Sequence, residues 1–377
     1  MEKHLHIIAL TVPFPVDYGG VFDLFYKLPA LQNEGVHIHL HCFDDGQHEQ
    51  KELNKYCDSV DYYKRIKGYK SLTVSLPYIV SSRKNETLFE NLLQDDYPIL
   101  MEGIHCTYLL NDGRFAERKK YVRIHNVEFQ YYDQLFYSAN SFVHKLYYWR
   151  EKNQLKKYEK SIVLKATAFW AVTEKDTDFY RNQLGCKVID HLPVYLPDDW
   201  QLKCKEGKGN YCLYQGDLSV DTNEKAVIWL LQKVFNKLEL PLVIAGKNPS
   251  KKLERLAHEH EYTCIVANPS EKEMQDMIVK AHINILPSFS TTGIKLKLLN
   301  ALFNGRYVLA NDATLEGSGL DSLCAIANDA RTFQEKITAL FSEPFNAELI
   351  EQRRKLLDSM FSNEANAKQQ VKWIWGE

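Results

Sequence analysis

Short apolar runs rich in β-branched residues punctuate this chain, and most are followed by stretches with helical spacing of apolar residues. The strand-like runs are 6–12, 36–43, 99–102, 121–124, 167–172, 211–215, 242–245, 262–266, 283–287, 307–310 and 323–327. Helical patterns lie between most of them, at 21–32, 174–183, 224–238, 250–259, 271–280 and 331–341. Alternation of this kind predicts an α/β chain with parallel sheets covered on both faces. Ligands of such folds sit at the carboxyl ends of the strands. The stretch 129–163 predicts a long helical segment, with Tyr148, Leu155 and Ile162 recurring as one buried stripe. Residues 191–199 carry Pro193 and Pro197 and read as an interdomain linker. The last helical stretch, 347–375, ends in Trp373 and Trp375 and reads as docked.

At 377 residues two domains are expected. Hydrophobic residues make up 45% and charged residues 25%, ordinary for a globular protein. The net charge of −2 gives no ground for a nucleic-acid partner. The eight cysteines form no C-x-x-C. Cys42, Cys106, Cys212, Cys264 and Cys324 sit in or beside apolar runs, as core residues of a reduced compartment would. The start runs straight into a strand without a signal-peptide core, and no run approaches 18 apolar residues. A cytoplasmic location is expected. The basic run Arg150, Lys152, Lys156, Lys157, Lys160 and Lys165 is either a solvated helix face, interrupted by Glu151 and Glu159, or a peripheral contact with anionic lipid.

The most specific chemistry lies in residues 288–311: strand end, polar loop with Gly293, basic helix, Gly305, strand. A helix opening after a strand directs free N–H groups into the crevice, a ready anion site, and Lys295 and Lys297 add charge. Gly216 and Gly246 end successive strand runs and permit close approach, and Lys247 is placed for a phosphate. In the first half, Gly19 and Gly20 open a helix after the first strand without forming G-x-G-x-x-G. Glu102 ends a strand run as a candidate general base or sugar-hydroxyl acceptor, and His125 ends the next as a donor to substrate. Asp176 and Asp178 fall in a helical pattern, a first-turn acidic cluster and not a metal site.

In order and spacing these motifs resemble the retaining GT-B glycosyltransferases of group 1, which build bacterial glycans from nucleotide sugars. The resemblance rests on the Pro15 to Gly20 entry loop, residues 125–128, residues 171–176, Gly216 with Asn223, Gly246, the helix between Gly293 and Gly305, and residues 315–317. It implies two Rossmann-like domains facing across a cleft: 1–194 for the acceptor, 195–355 for the donor, and a helix in 356–377 crossing back onto the first. It implies a UDP- or GDP-sugar donor bound by Gly19, Gly20, Gly216, Lys247, Thr292, Gly293, Ile294, Lys295, Lys297 and Asn300, with His125 near the transferred sugar. The acceptor would be a glycan or lipid-linked glycan; no metal or other cofactor is expected. Thr292 and Asn300 stand where the family commonly carries two glutamates, the loop 217–221 is acidic where a basic pair often grips pyrophosphate, and Asp23 stands where an Arg is common. These departures suggest an alternative, a catalytically degenerate homologue acting as a binding module. A dinucleotide-dependent oxidoreductase would need the fingerprint that is missing.

Overall fold

The computed structural model describes residues 2–16, 19–44, 46, 48–139, 141–200 and 202–376. Contacts divide the chain into two compact units, Met1–Pro197 with Phe361–Glu377, and Asp198–Met360.

The first unit holds a seven-stranded parallel sheet. Its strands are β1 Lys3–Ala9, β2 Val36–Asp44, β3 Ser59–Lys64, β4 Ile99–Glu102, β5 Lys120–Ile124, β6 Ala168–Ala171 and β7 Ile189–His191. The order β3-β2-β1-β4-β5-β6-β7 reverses between β1 and β4. One face packs Leu5, Ile7 and Ala9 against Leu24, Leu28 and Leu31 of helix Gly19–Asn33. Helix Asn363–Trp375 adds Ala367, Val371 and Ile374 to the same core. Full burial of a Val or Ile side chain contributes about 1.5–3 kcal/mol. Trp373 also stacks on Trp170 with ring centroids 5.6 Å apart, so the terminal tryptophans are docked. The other face packs Ile8, Met101, Val122 and Ile124 against Leu155 and Ile162.

On that second face, imidazoles of β1 and β2 stand beside the apolar residues. Asp95 accepts from His6 Nε2 at 3.0 Å, so His6 Nδ1 accepts from His41 Nε2 at 2.9 Å. His41 Nδ1 then accepts from the Tyr63 hydroxyl at 2.9 Å, which accepts from Asn91 at 2.8 Å. Every member is satisfied with both rings neutral. Burial accordingly lowers the His6 pKa and brings that of His41 down to about 3.

The second unit holds a six-stranded parallel sheet in the order β10-β9-β8-β11-β12-β13. These are β8 Cys212–Asp217, β9 Leu242–Lys247, β10 Thr263–Ala267, β11 Ile283–Leu286, β12 Tyr307–Ala310 and β13 Ala325–Ile326. The order reverses between β8 and β11. Tyr214, Ile283, Ile285 and Leu309 pack against Val227, Leu230, Phe333 and Ile337 on one face. Leu213 and Ala245 meet Ile278 on the other.

Several expectations need correction. β3 and β7 were not expected: β3 is half polar, β7 has three residues, and both are edge strands. The stretch 129–163 is two helices, Glu128–Ser138 and Phe142–Ile162. The helical pattern 347–375 likewise breaks into Ala347–Met360 and Asn363–Trp375, with Ser362 capping the second through the Ala365 N–H. The segment 191–199 does hold the division between the units, after Pro197, but much of it is packed. Tyr195 is buried with its hydroxyl on Gln370 at 2.9 Å, and the Leu196 N–H donates to Asn363. Cys264 is exposed, whereas Cys42, Cys106 and Cys212 are buried. Glu151 and Glu159 do not interrupt a charged surface, because both are fully buried.

Candidate functional site

Each unit places a polar cluster where its strand order reverses, the position at which open α/β sheets bind ligands. In the first unit, helix Gly19–Asn33 follows β1 and turns Asp23 and Lys27 inward, one helical turn apart. Asp17 and Tyr18 of the entry loop lie outside the described residues. Gly19 and Gly20 form the first turn of the helix.

Lys27 Nζ lies 3.1 Å from Asp23 and 2.5 Å from Glu102 Oε1. Glu102 Oε2 is 3.1 Å from His125 Nε2. Arg123, on β5, grips both Asp23 oxygens at 2.8 and 3.0 Å, and the Tyr195 N–H adds a third donor at 2.9 Å. Two further guanidinium hydrogens go to the Leu192 and Pro193 carbonyls. Burial opposes the charged form of Asp23, but Arg123 and Lys27 outweigh it and hold the carboxyl well below its usual range. Burial likewise opposes ionisation of Glu102, and Lys27 with His125 still lowers its pKa.

This arrangement reassigns two residues. Glu102 cannot serve as a base on substrate, because both oxygens are engaged and its side chain is 2% exposed. It orients His125 instead: an ionised Glu102 fixes the hydrogen on Nε2 and leaves Nδ1 as the acceptor. Asp23 does not stand beside a ligand phosphate; it is interior and wholly consumed. His125 is the member that reaches solvent, with 15% of its side chain exposed. Asp23, Glu102 and His125 offer ligand atoms within 4.8 Å of one another. Lys27 and Arg123 already neutralise both carboxylates, so the donor set does not suit a divalent cation. Lys27 escaped notice in the sequence; its signal was a Lys four residues after an Asp inside an otherwise apolar helix.

In the second unit, helix Leu296–Asn304 follows the loop after β11 and opens without a side-chain cap. Lys297, in its first turn, points to the end of β8. Its Nζ lies 3.2 Å from Asn223 Oδ1, 3.4 Å from the Tyr214 hydroxyl and 5.0 Å from the Tyr214 ring centroid. Its backbone carbonyl accepts from Gln215 at 3.4 Å. Asn223 is tied in turn to the Asp217 carbonyl at 2.9 Å. Desolvation, then the neighbouring Lys295, lowers the Lys297 pKa to about 8.

The other candidates fall around this lysine in different states. The Lys295 ammonium folds back on the Thr292 carbonyl of its own loop. Thr292 Oγ1 lies 3.3 Å from Ser290 Oγ. Gly293 has φ of 63°, the left-handed region that favours glycine. Ile294 is half-buried beside it. Asn300 Oδ1 accepts from Asn304 at 2.9 Å, one turn along the helix. Lys247 is exposed at the end of β9, in register with Asp217. Gly216 and Gly246 are explained by chain packing. A Cβ on Gly246 would collide with the Gly216 carbonyl, and one on Gly216 would meet the Asn223 amide at 3.3 Å. Tyr214 and Gln215 were missed as members, since their apolar strand run gave no sign of side chains bonded across to another helix.

A surface cavity of about 790 Å³ lies instead beside His4, Tyr97 and Arg118, at the amino ends of β1 and β4. The polar clusters above lie at the carboxyl ends, where open α/β sheets bind ligands.

Residues 209–343 match the family model described as Glycosyl transferases group 1. Sucrose-phosphate synthase from Thermosynechococcus elongatus is similar over 98% of this chain and 98% of its own, with a TM-score of 0.73 at 14% identity. This chain has the GT-B glycosyltransferase fold. Anabaena Alr3699/HepE, solved in complex with UDP and glucose, is similar over 99% of each chain with a TM-score of 0.65 at 9% identity. An uncharacterized 44.6 kDa protein in the cps region of Klebsiella pneumoniae is 26% identical over 352 residues, 88% of this GT-B chain and 89% of that protein.

Proposed function

We propose that the protein transfers a sugar from a nucleotide-diphosphate donor to a glycan or lipid-linked acceptor, with retention, in bacterial glycan assembly. The observation that carries this reading is Lys297. Its ammonium is drawn out of water at the β8/β11 reversal, inside the region matching the group 1 family, and its closest partners there are neutral oxygens. A cation so placed is stabilised by an anionic ligand, and the uncapped start of helix Leu296–Asn304 adds N–H donors. A diphosphate satisfies both. The UDP and glucose in the Anabaena structure and the cps-region setting of the Klebsiella relative point the same way. In the first unit, His125 would present Nδ1 to the transferred sugar, its ring held by Glu102.

Calorimetric titration of UDP and GDP against wild type and Lys297→Ala tests donor recognition. The wild type is expected to bind one of them, and Lys297→Ala to bind it at least about tenfold more weakly, since a charge-assisted hydrogen bond is worth roughly 1.5–3 kcal/mol. Binding of neither nucleotide by the wild type would sink the proposal. The degenerate alternative foresees binding without sugar release or transfer. A transfer assay over a panel of nucleotide sugars, repeated with His125→Ala, separates the two.

A further inference from the structure

The outer face of helix Phe142–Ile162 belongs to neither polar cluster described above. Leu155, Tyr158 and Ile162 point into the core. Directly opposite, at helical spacing, come Phe142, Leu146, Trp149, Asn153, Lys156, Lys157 and Lys160. The apolar members are open to solvent: Phe142 is 80% exposed, Val143 71%, Leu146 57% and Trp149 52%. Tyr137, at the end of the preceding helix, is 75% exposed. The segment around Thr73 is pinned to the flank of this helix, where Arg150 and Gln154 donate to the Thr73 carbonyl and Gln154 to that of Val74. Val74 itself is 98% exposed.

Charge on this surface is mostly of one sign; the exception is Asp133 of the preceding helix, which pairs with Lys152 at 2.5 Å. Helix Phe142–Ile162 carries Lys145, Arg150, Lys152, Lys156, Lys157 and Lys160. Its two acids, Glu151 and Glu159, are fully buried and accept from the Ile79 N–H, the Phe129 N–H and the Tyr180 hydroxyl. Residues 64–76 add Lys64, Arg65, Lys67 and Lys70 and no acid. The whole chain has a net charge of −2, so this concentration is local.

We infer that this face docks on an anionic lipid bilayer, with Phe142, Val143, Leu146 and Trp149 entering the interface and the lysines meeting headgroup phosphates. Exposed aromatic and aliphatic side chains at one end of a face and lysines along the rest match the two layers of a membrane surface. Two copies pairing through the same patch would set like charges against each other. Nucleic acid would satisfy the lysines and offer no hydrocarbon for Leu146 and Val143. No described helix is long and apolar enough to cross a membrane, and a surface contact needs none.

The test is flotation of the whole protein with vesicles of equal parts phosphatidylglycerol and phosphatidylcholine, and with phosphatidylcholine alone. Binding is expected only to the anionic vesicles and should weaken as salt rises. Leu146→Glu with Trp149→Glu, and separately Lys156→Glu with Lys157→Glu, should each weaken it by about tenfold or more. These side chains are exposed, so the thermal melting midpoint should not move. Failure of the wild type to bind, equal binding to neutral vesicles, or binding unchanged in both variants would overturn the inference. So would a dimer, seen by light scattering, that the same variants dissociate. Nucleotide binding is read separately, so this inference and the glycosyl-transfer proposal fail independently.

Discussion

At the scale of single residues, the first unit shows how far a side chain's meaning depends on its neighbours. Asp23 is conspicuous in the sequence as an acid where a phosphate-binding base is common in the resembling family. In the folded chain it is the hub that neutralises Arg123 and anchors the Tyr195 backbone. Asp23→Asn is expected to destabilise the protein by about 3–5 kcal/mol, because it strands a buried guanidinium; urea denaturation measures it. Glu102→Gln keeps a hydrogen-bonding group beside His125 and removes the charge that fixes its tautomer. Transfer activity should fall through kcat with donor KM little changed, and the pH–rate profile should shift. A fall in KM alone would contradict the orienting role. The place of His125 at the carboxyl end of β5 was legible, because it follows directly on an apolar run. Lys27 and Arg123 were harder to place, since a charge within an apolar run takes its partner from another part of the chain.

Among the elements, the parallel strands were the most legible. Buried on both faces, they read as largely apolar runs: β6 wholly so, β4 up to its terminal Glu102 and β11 but for Asn284. β3 and β7 escaped because an edge strand needs only one apolar side and few residues. The turn between helices Glu128–Ser138 and Phe142–Ile162 escaped too, for it carries neither proline nor glycine. Glycines were easy to notice and hard to interpret. Gly246 looked like room for a ligand, yet the room is taken by the neighbouring Gly216 backbone. Gly246→Ala should therefore cost about 1–3 kcal/mol through overpacking. The loss should appear in thermal melts of protein without nucleotide; a loss of nucleotide affinity at unchanged stability would restore the ligand reading.

Across the whole molecule, buried titratable groups give stability an uneven pH dependence. His41 titrates near 3 when folded and His6 is lowered, while unfolded histidines titrate near 6.5. Below about 6.5 the unfolded chain therefore binds more protons, and stability falls with pH by up to about 1.4 kcal/mol per pH unit for each such group. Glu128, raised by burial to about 7, and Glu159, raised by burial and by Glu128, act in the opposite sense. Their stabilisation is present below the unfolded value near 4.5 and is lost as pH rises towards 7. Replacing His41→Gln should flatten the acid limb of a urea-midpoint series between pH 6.5 and 4 and leave the Glu limb in place. An unchanged acid limb would show that the imidazole chain does not control it.

Helix Asn363–Trp375 has a consequence for synthesis. It completes the core around Leu24, Trp170 and Tyr195, yet it is translated after the entire Asp198–Met360 unit. A nascent chain must therefore carry its first sheet with one face unfinished while the ribosome makes the second. The second unit, continuous in sequence, can settle first, against the usual order in which amino-terminal domains fold ahead of later ones. Arrest of translation after Met360 should leave the first sheet sensitive to protease and the second resistant. The early half of the message would then encode the half of the protein that matures last.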